Sequence, residues 1–226
     1  MSVKQILFNT EMVRAILDGR KSCTRRIVKP QQLVGLLPDK CKNGVPEEFL
    51  KEKKFMFKPY CNMTDSELIM TSYKKPYQPG DILYVRETWF KGLKRYMYRA
   101  DYSDTEKFYR DGKEIEMKWH PSIHMPKEAA RIWLKVTDVR VERLQEITPK
   151  DAENEGVGNL FYEDIGYSEK NYGTEVDPEY GIAKEQFSWL WDSTIKKSVL
   201  DRYGWDANPW VWVIEFERCE KPESEG

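Results

Sequence analysis

Lys21 and Thr24 stand three residues apart in a segment that runs Asp18, Gly19, Arg20, Lys21, Ser22, Cys23, Thr24, Arg25, Arg26. A threonine hydroxyl becomes a nucleophile when a neighbouring group takes its proton, and a lysine amine held neutral can be that group. At this spacing in a non-helical segment both side chains can turn into one pocket. Arg25 and Arg26 would then depress the lysine pKa by charge repulsion or steady an oxyanion. The same residues also suit a solvated basic helix end, which the helix dipole favours by itself. A third use of Gly19, Arg25 and Arg26 is to hold a phosphate or an unpaired base with no bond broken.

Several elements must carry these residues. Met12, Val13, Ile16 and Leu17 fall on one face at helical spacing, with Thr10 available as N-cap and Gly19 free to turn left-handed after the last turn. This predicts a helix that stops just before Lys21. Ile6, Leu7 and Phe8 predict a short strand ahead of it, within Gln5 to Asn9. After a turn at Tyr77 to Asp81, the run Ile82 to Phe90 has the composition of a buried strand. Arg86 and Glu87 lie side by side in it, so one of them points inward or the strand ends there. An inward Glu87 could pair with Lys21 or meet a base edge. An outward one is a surface ion pair of little value.

Tyr96 to Tyr102 alternates as a half-buried strand that pairs with its predecessor. Arg131 to Leu144 reads as one long strand whose apolar parity shifts near Asp138, the mark of a bulge of the kind that helps close barrels. Thr148, Pro149 and Asp151 open a short helix that carries Glu153 and Glu155 and stops at Gly156. Phe187, Leu190, Trp191 and Ile195 mark a further helix that would plug one barrel end. Trp210 to Phe216 is apolar at nearly every residue and reads as a closing strand. Three stretches, about 27–75, 103–130 and 157–185, interrupt this pattern as insertions in a single domain spanning 1–226. The first contains a possible strand, Glu67 to Tyr73, and the cluster Lys51, Lys53, Lys54, Lys58 beside Phe55, Phe57 and Tyr60. That cluster is either a surface for single-stranded nucleic acid or an ordinary solvated loop.

Composition narrows the classes. Apolar residues make up 40% of the 226 and aromatic ones 13%, enough for a core, so a disordered chain is excluded. The 37 basic and 38 acidic residues leave a net charge of -1, so any nucleic-acid partner must be met by a local patch and not by a global field. No apolar run approaches the roughly 20 residues that span a bilayer, and no membrane partner is expected. Four scattered cysteines without a CxxC pair, and no apolar signal segment, point to a reducing cytoplasm. His120 and His124 flank Pro121 and form no compact ligand set with Cys41 or Cys61, so neither a metal nor another cofactor is expected.

Gly19, Lys21, Thr24 and Arg26, in the spacing Gly-x-Lys-x-x-Thr-x-Arg after a strand and a helix, resemble the signature of the ASCH domain. The ASCH domain is a PUA-like β-barrel family tied to RNA and nucleoside chemistry. The resemblance covers roughly half of the chain in four blocks: the opening strand and helix, the strands around Gly80 to Tyr102, the long strand with its helix, and the last strand. With its insertions the chain looks like the longer ASCH proteins of phages and prophages. The implied fold is α+β, a PUA-like mixed β-barrel of five to six strands with helices over the barrel ends. ASCH-type amidohydrolases that act on N4-acetylcytidine use a Lys, a Thr and a Glu, the last in the helix after the long strand. By that resemblance Lys21, Thr24 and Glu155 are the catalytic set, with Glu153 the alternative carboxylate on another face of the same helix. Arg25 departs from the pattern, because the compact amidohydrolases carry an apolar residue there. The implied partner is a nucleoside or a single-stranded RNA or modified nucleic acid. The two functions in view are acyl-nucleoside hydrolysis and non-catalytic binding by the Gly19 to Arg26 segment. A ribonuclease lacking a histidine is a weaker third.

Overall fold

A computed structural model describes residues 2–29, 74–92, 95–110, 112–157 and 178–222. Cys41, Cys61, the lysine and aromatic cluster at 51–60 and the Glu67 to Tyr73 strand lie outside the described residues, as does most of the third insertion.

The chain opens with strand β1 (Val3–Leu7) and helix α1 (Thr10–Leu17). The helix begins one residue earlier than the cap expected from sequence: Asn9 caps it by accepting from the Met12 N–H at 2.8 Å, and Thr10 is its first residue. Gly19 adopts φ 76°, the left-handed conformation glycine takes at no steric cost. The amides of Arg20 and Lys21 then both donate to Ala15 O, so the chain folds back across the helix end before it enters strand β2 (Cys23–Ile27). Half of the supposed basic loop is therefore strand.

Strand β3 (Ile82–Arg86) follows, with the short hairpin β4 (Trp89–Lys91) and β5 (Tyr96–Tyr98) and a second hairpin, β6 (Phe108–Arg110) and β7 (Lys113–Ile115). The single strand read from Ile82 to Phe90 is thus two, broken at Glu87. Beyond them come the long strand β8 (Trp133–Arg143), helix α2 (Pro149–Asn154), helix α3 (Pro178–Thr194), helix α4 (Leu200–Tyr203) and strand β9 (Trp210–Cys219).

The molecule is mixed α+β around one five-stranded sheet in the order β1-β3-β8-β9-β2, with β1 parallel to β3 and every other pair antiparallel. In β8 the register with β9 shifts between Val136 and Asp138. The extra residue changes the parity, so that Leu134, Val136, Val139 and Val141 all enter the same core. In β9, Trp210, Trp212, Ile214 and Phe216 face that core, together with Ile6, Phe8 and the α1 residues Val13 and Ile16. Val211 and Val213 face a second core formed by Leu144, Ile147 and Ala152 with Phe187 and Trp191 of α3. A strand buried on both faces needs apolar residues at consecutive positions, which is the run seen in the sequence.

The expected closed barrel is not found. Among the described residues the ladder is open, with β1 and β2 as its edges. The residues leading into β2 spend their outer hydrogen bonds on the end of α2: Lys21 bridges to Glu155, and the Ser22 amide donates to Asn154 O. A side chain spans the two edges, Arg26 Nη2 donating to Leu7 O at 3.1 Å. Helix α3 likewise packs on a face of the sheet through Phe187 and Trp191, and does not plug an end. Among the described residues no helix is long and apolar enough to cross a membrane.

Candidate functional site

Three elements bring Lys21 and Glu155 together. Helix α1 ends at Gly19, β2 draws the chain toward β9, and α2 is a single short helix capped by Thr148 and Asp151, each side chain accepting from the other's backbone N–H. Directly after α2, Gly156 at φ 89° lets the chain pass against α1. A Cβ there would stand 2.7 Å from Ala15 Cβ and 3.1 Å from Lys21 Cβ.

Within this junction Lys21 Nζ donates to Glu155 Oε2 and to the Glu155 carbonyl, both at 2.7 Å. Glu155 Oε1 accepts from Arg25 Nη1 at 3.3 Å. Arg25 Nη2 lies 3.2 Å from Glu142 Oε2 and 3.7 Å from Asp151 Oδ2. Thr24 Oγ1 accepts from Arg26 Nη1 at 2.8 Å, leaving the hydroxyl proton free to donate elsewhere. Lys21 Nζ and the Arg26 guanidinium lie 5.6 and 5.4 Å from the Phe8 ring centroid, so Thr24 is connected to the Lys21–Glu155 pair through Arg26 and Phe8. Relative exposure is 3% for Lys21 and Glu155, 2% for Arg25 and 0% for Thr24.

Burial on this scale disfavours charge. Desolvation lowers the Lys21 pKa against the pull of the Glu155 carboxylate, and Arg26 adds to the lowering. Burial, reinforced by Glu155, pushes the Cys23 thiol up to about 12, so Cys23 is an inert part of the wall at neutral pH. A buried amine kept below its ordinary value beside a hydroxyl-bearing strand can accept a proton from a nucleophile, and Arg26 can stabilise the resulting negative oxygen.

The remaining residues singled out in the sequence lie elsewhere. Glu153 is on the outer side of α2, paired with Lys150 at 2.9 Å, so Glu155 is the inward carboxylate. Gly19 supplies the turn. Arg86 donates to Gln5 Oε1 and to the carbonyl of Ile123. Strand β3 ends at Arg86 and Glu87 points inward, so both branches of the sequence reading occur together. The partner of Glu87 is Arg131 at 2.9 and 3.0 Å, not Lys21. Burial still pushes the Glu87 carboxyl up despite that guanidinium. Among the described residues no group of three or more His, Cys, Asp or Glu could hold a metal ion. Sequence reasoning missed Phe8, Glu142 and Asp151, and the interior course of Arg25. Its signal was parity: Arg25 pairs with Val213 in the β2–β9 ladder, a register whose neighbours face the second core.

No protein-family model, no curated protein and no solved structure matches this chain.

Proposed function

We propose that the protein is an amidohydrolase that removes an acyl group from a modified nucleoside of the N4-acetylcytidine type. The observation that carries this reading is the buried Lys21–Glu155 pair, whose amine burial holds below its ordinary pKa, at the base of the strand that bears Thr24. The ASCH resemblance of Gly19, Lys21, Thr24 and Arg26 supplies the substrate class.

In this mechanism Thr24 Oγ attacks the acyl carbon and its proton passes to Lys21 Nζ. The oxyanion collapses, the C–N bond breaks, and the amine leaves with the proton returned from Lys21. Water then attacks the Thr24 ester, Lys21 again taking and returning the proton, to release the carboxylic acid and restore the hydroxyl. Glu155 accepts hydrogen bonds from Lys21 and Arg25, so its role is to orient Lys21. Thr24 is fully buried, so the acyl group reaches it only after local opening.

Non-catalytic binding of a phosphate or base by the Gly19 to Arg26 segment is the weaker reading. Arg25 and Arg26 give their hydrogen bonds to internal acceptors.

Incubation of the full chain with N4-acetylcytidine and related acyl nucleosides tests the proposal. Release of the free amine is expected, with a loss of about 10³-fold or more in Thr24→Ala and Lys21→Met. Absence of product from wild type across the series overturns it.

A further inference from the structure

We infer that a cavity away from the Lys21 junction, walled by Phe108 and Trp119 and bordered by Glu106 and Glu116, binds an aliphatic polyamine. The inference is independent of the amidohydrolase reading.

The cavity is lined by residues of both strands of the β6–β7 hairpin and by Trp119, and has a volume of about 640 Å³. That is within the range of small-ligand sites. Among the described residues the hairpin pairs with no other strand, so the sheet does not hold it. Aromatic rings do. Phe108 meets Tyr102 at 5.1 Å and 63°, and Trp119 at 5.9 Å and 71°, while Phe90 and Tyr102 also contact Trp119 at 6.5 and 5.7 Å. These four rings stand apart from the buried cores. Phe108 and Trp119 are only half-buried, and with Ile115 and Met117 they give the cavity an apolar wall.

The rest of the lining is charged and unequal, two basic side chains against four acidic ones. Both bases are already matched. Lys107 pairs with Glu114 at 3.0 Å and Arg99 with Asp104 at 2.7 Å. Arg14 adds a longer contact to Asp104 at 3.5 Å and is itself paired with Glu11. Among the described residues Glu106 and Glu116 have no ion-pair partner. Lys113 and Lys118 of the same stretch are exposed and do not line the cavity.

A ligand for this surface must bring positive charge to two carboxylates and an apolar body to the wall between them. Ammonium groups joined by methylenes do both, because the amines pair with the acids and are attracted to ring faces while the chain covers Ile115 and Met117. Arg99 already makes this combination inside the protein: its guanidinium stands 5.9 Å from the Trp119 ring while it pairs with Asp104. The same rings suit base stacking, but the phosphates of a nucleic acid would meet carboxylates that lack counter-ions. Charge therefore decides for the cation.

The experiment is titration calorimetry of the full chain with spermidine and putrescine, beside n-butylamine, 1,4-butanediol, a dilysine peptide and a single-stranded oligonucleotide. Spermidine is expected to bind one to one with Kd at or below about 1 mM. Butylamine should bind at least about fivefold more weakly and the neutral diol not at all. Glu106→Gln and Glu116→Gln should each weaken spermidine by about 2–5-fold and together by about tenfold; Trp119→Leu should weaken it by about fivefold. Glu128→Gln, an exposed acid outside the lining, should leave it unchanged. If Trp119→Leu fails to fold by circular dichroism, the two exposed carboxylate variants decide. Absence of spermidine binding overturns the inference, as does binding that the double carboxylate variant leaves intact. Equal affinity for putrescine and the diol also overturns it. A dilysine peptide that binds more tightly than spermidine rules out a free polyamine, and an oligonucleotide that binds through Trp119 and tightens when the carboxylates are neutralised assigns the cavity to nucleic acid instead.

Discussion

Lys21 sits where two opposing effects meet. Burial lowers its pKa and the Glu155 carboxylate raises it, with burial the larger. The sign of the pH response follows. A base must be neutral, so the rate of acyl transfer should be low in acid, rise as pH passes through the depressed lysine value, and level off below 10.5. Measuring kcat/KM against pH checks this. An acid limb centred in the carboxylate range would assign the proton to another group. Glu155→Gln removes the counter-charge that raises the lysine value while keeping the side chain's shape, so its acid limb should move to lower pH even where turnover falls. Stability should respond in the same sense. The unfolded lysine binds a proton that the folded one has lost between the depressed value and 10.5, so this group favours folding at the upper end of that window and the contribution disappears as pH falls through the folded value.

At the level of elements, the junction of α1, β2 and α2 depends on one close approach. Gly156 has both a left-handed backbone and no room for a side chain, because Ala15 Cβ would lie 2.7 Å from an added Cβ. Gly156→Ala should cost about 2 kcal/mol or more, from backbone strain and overpacking together. It should also displace Lys21 from Glu155. Urea unfolding and the acid limb of activity provide the two readings; unchanged stability would show that the junction can relax. Gly19, also left-handed, has open space around it, so the same substitution there tests backbone strain alone.

Across the whole molecule, the gap between the two edge strands is spanned by Arg26, which joins Thr24 and the Arg25 carbonyl on β2 to the Leu7 carbonyl on β1. A closed ladder would survive loss of one side chain, whereas an open sheet tied by a guanidinium should not. Arg26→Leu is expected to lower stability by about 1–3 kcal/mol and to speed amide exchange in Val3–Leu7 and Cys23–Ile27 ahead of β8 and β9. Exchange raised uniformly over all five strands would mean that the tie is not local. The second buried ion pair, Arg131 with Glu87, lies in another part of the molecule and provides a control, since its loss should destabilise the fold without touching the Lys21 titration.

Local physics made much of this legible from residue order alone. The α1 helix and its glycine stop, the parity shift in β8, the Thr148 cap and the doubly buried β9 each depend on neighbours a few residues apart. The identity of the inward carboxylate did not, because Glu153 and Glu155 differ only in which side of a short helix end meets Lys21, 134 residues away in the chain. Nor did the course of Arg25, whose charge is tolerable inside only because Glu142, Asp151 and Glu155 arrive from β8 and the α2 region. The sheet stayed open for the same kind of reason. The approach to β2 pairs with the end of α2, and Arg26 occupies the interval to β1, outcomes set by competition among distant backbone and side-chain partners.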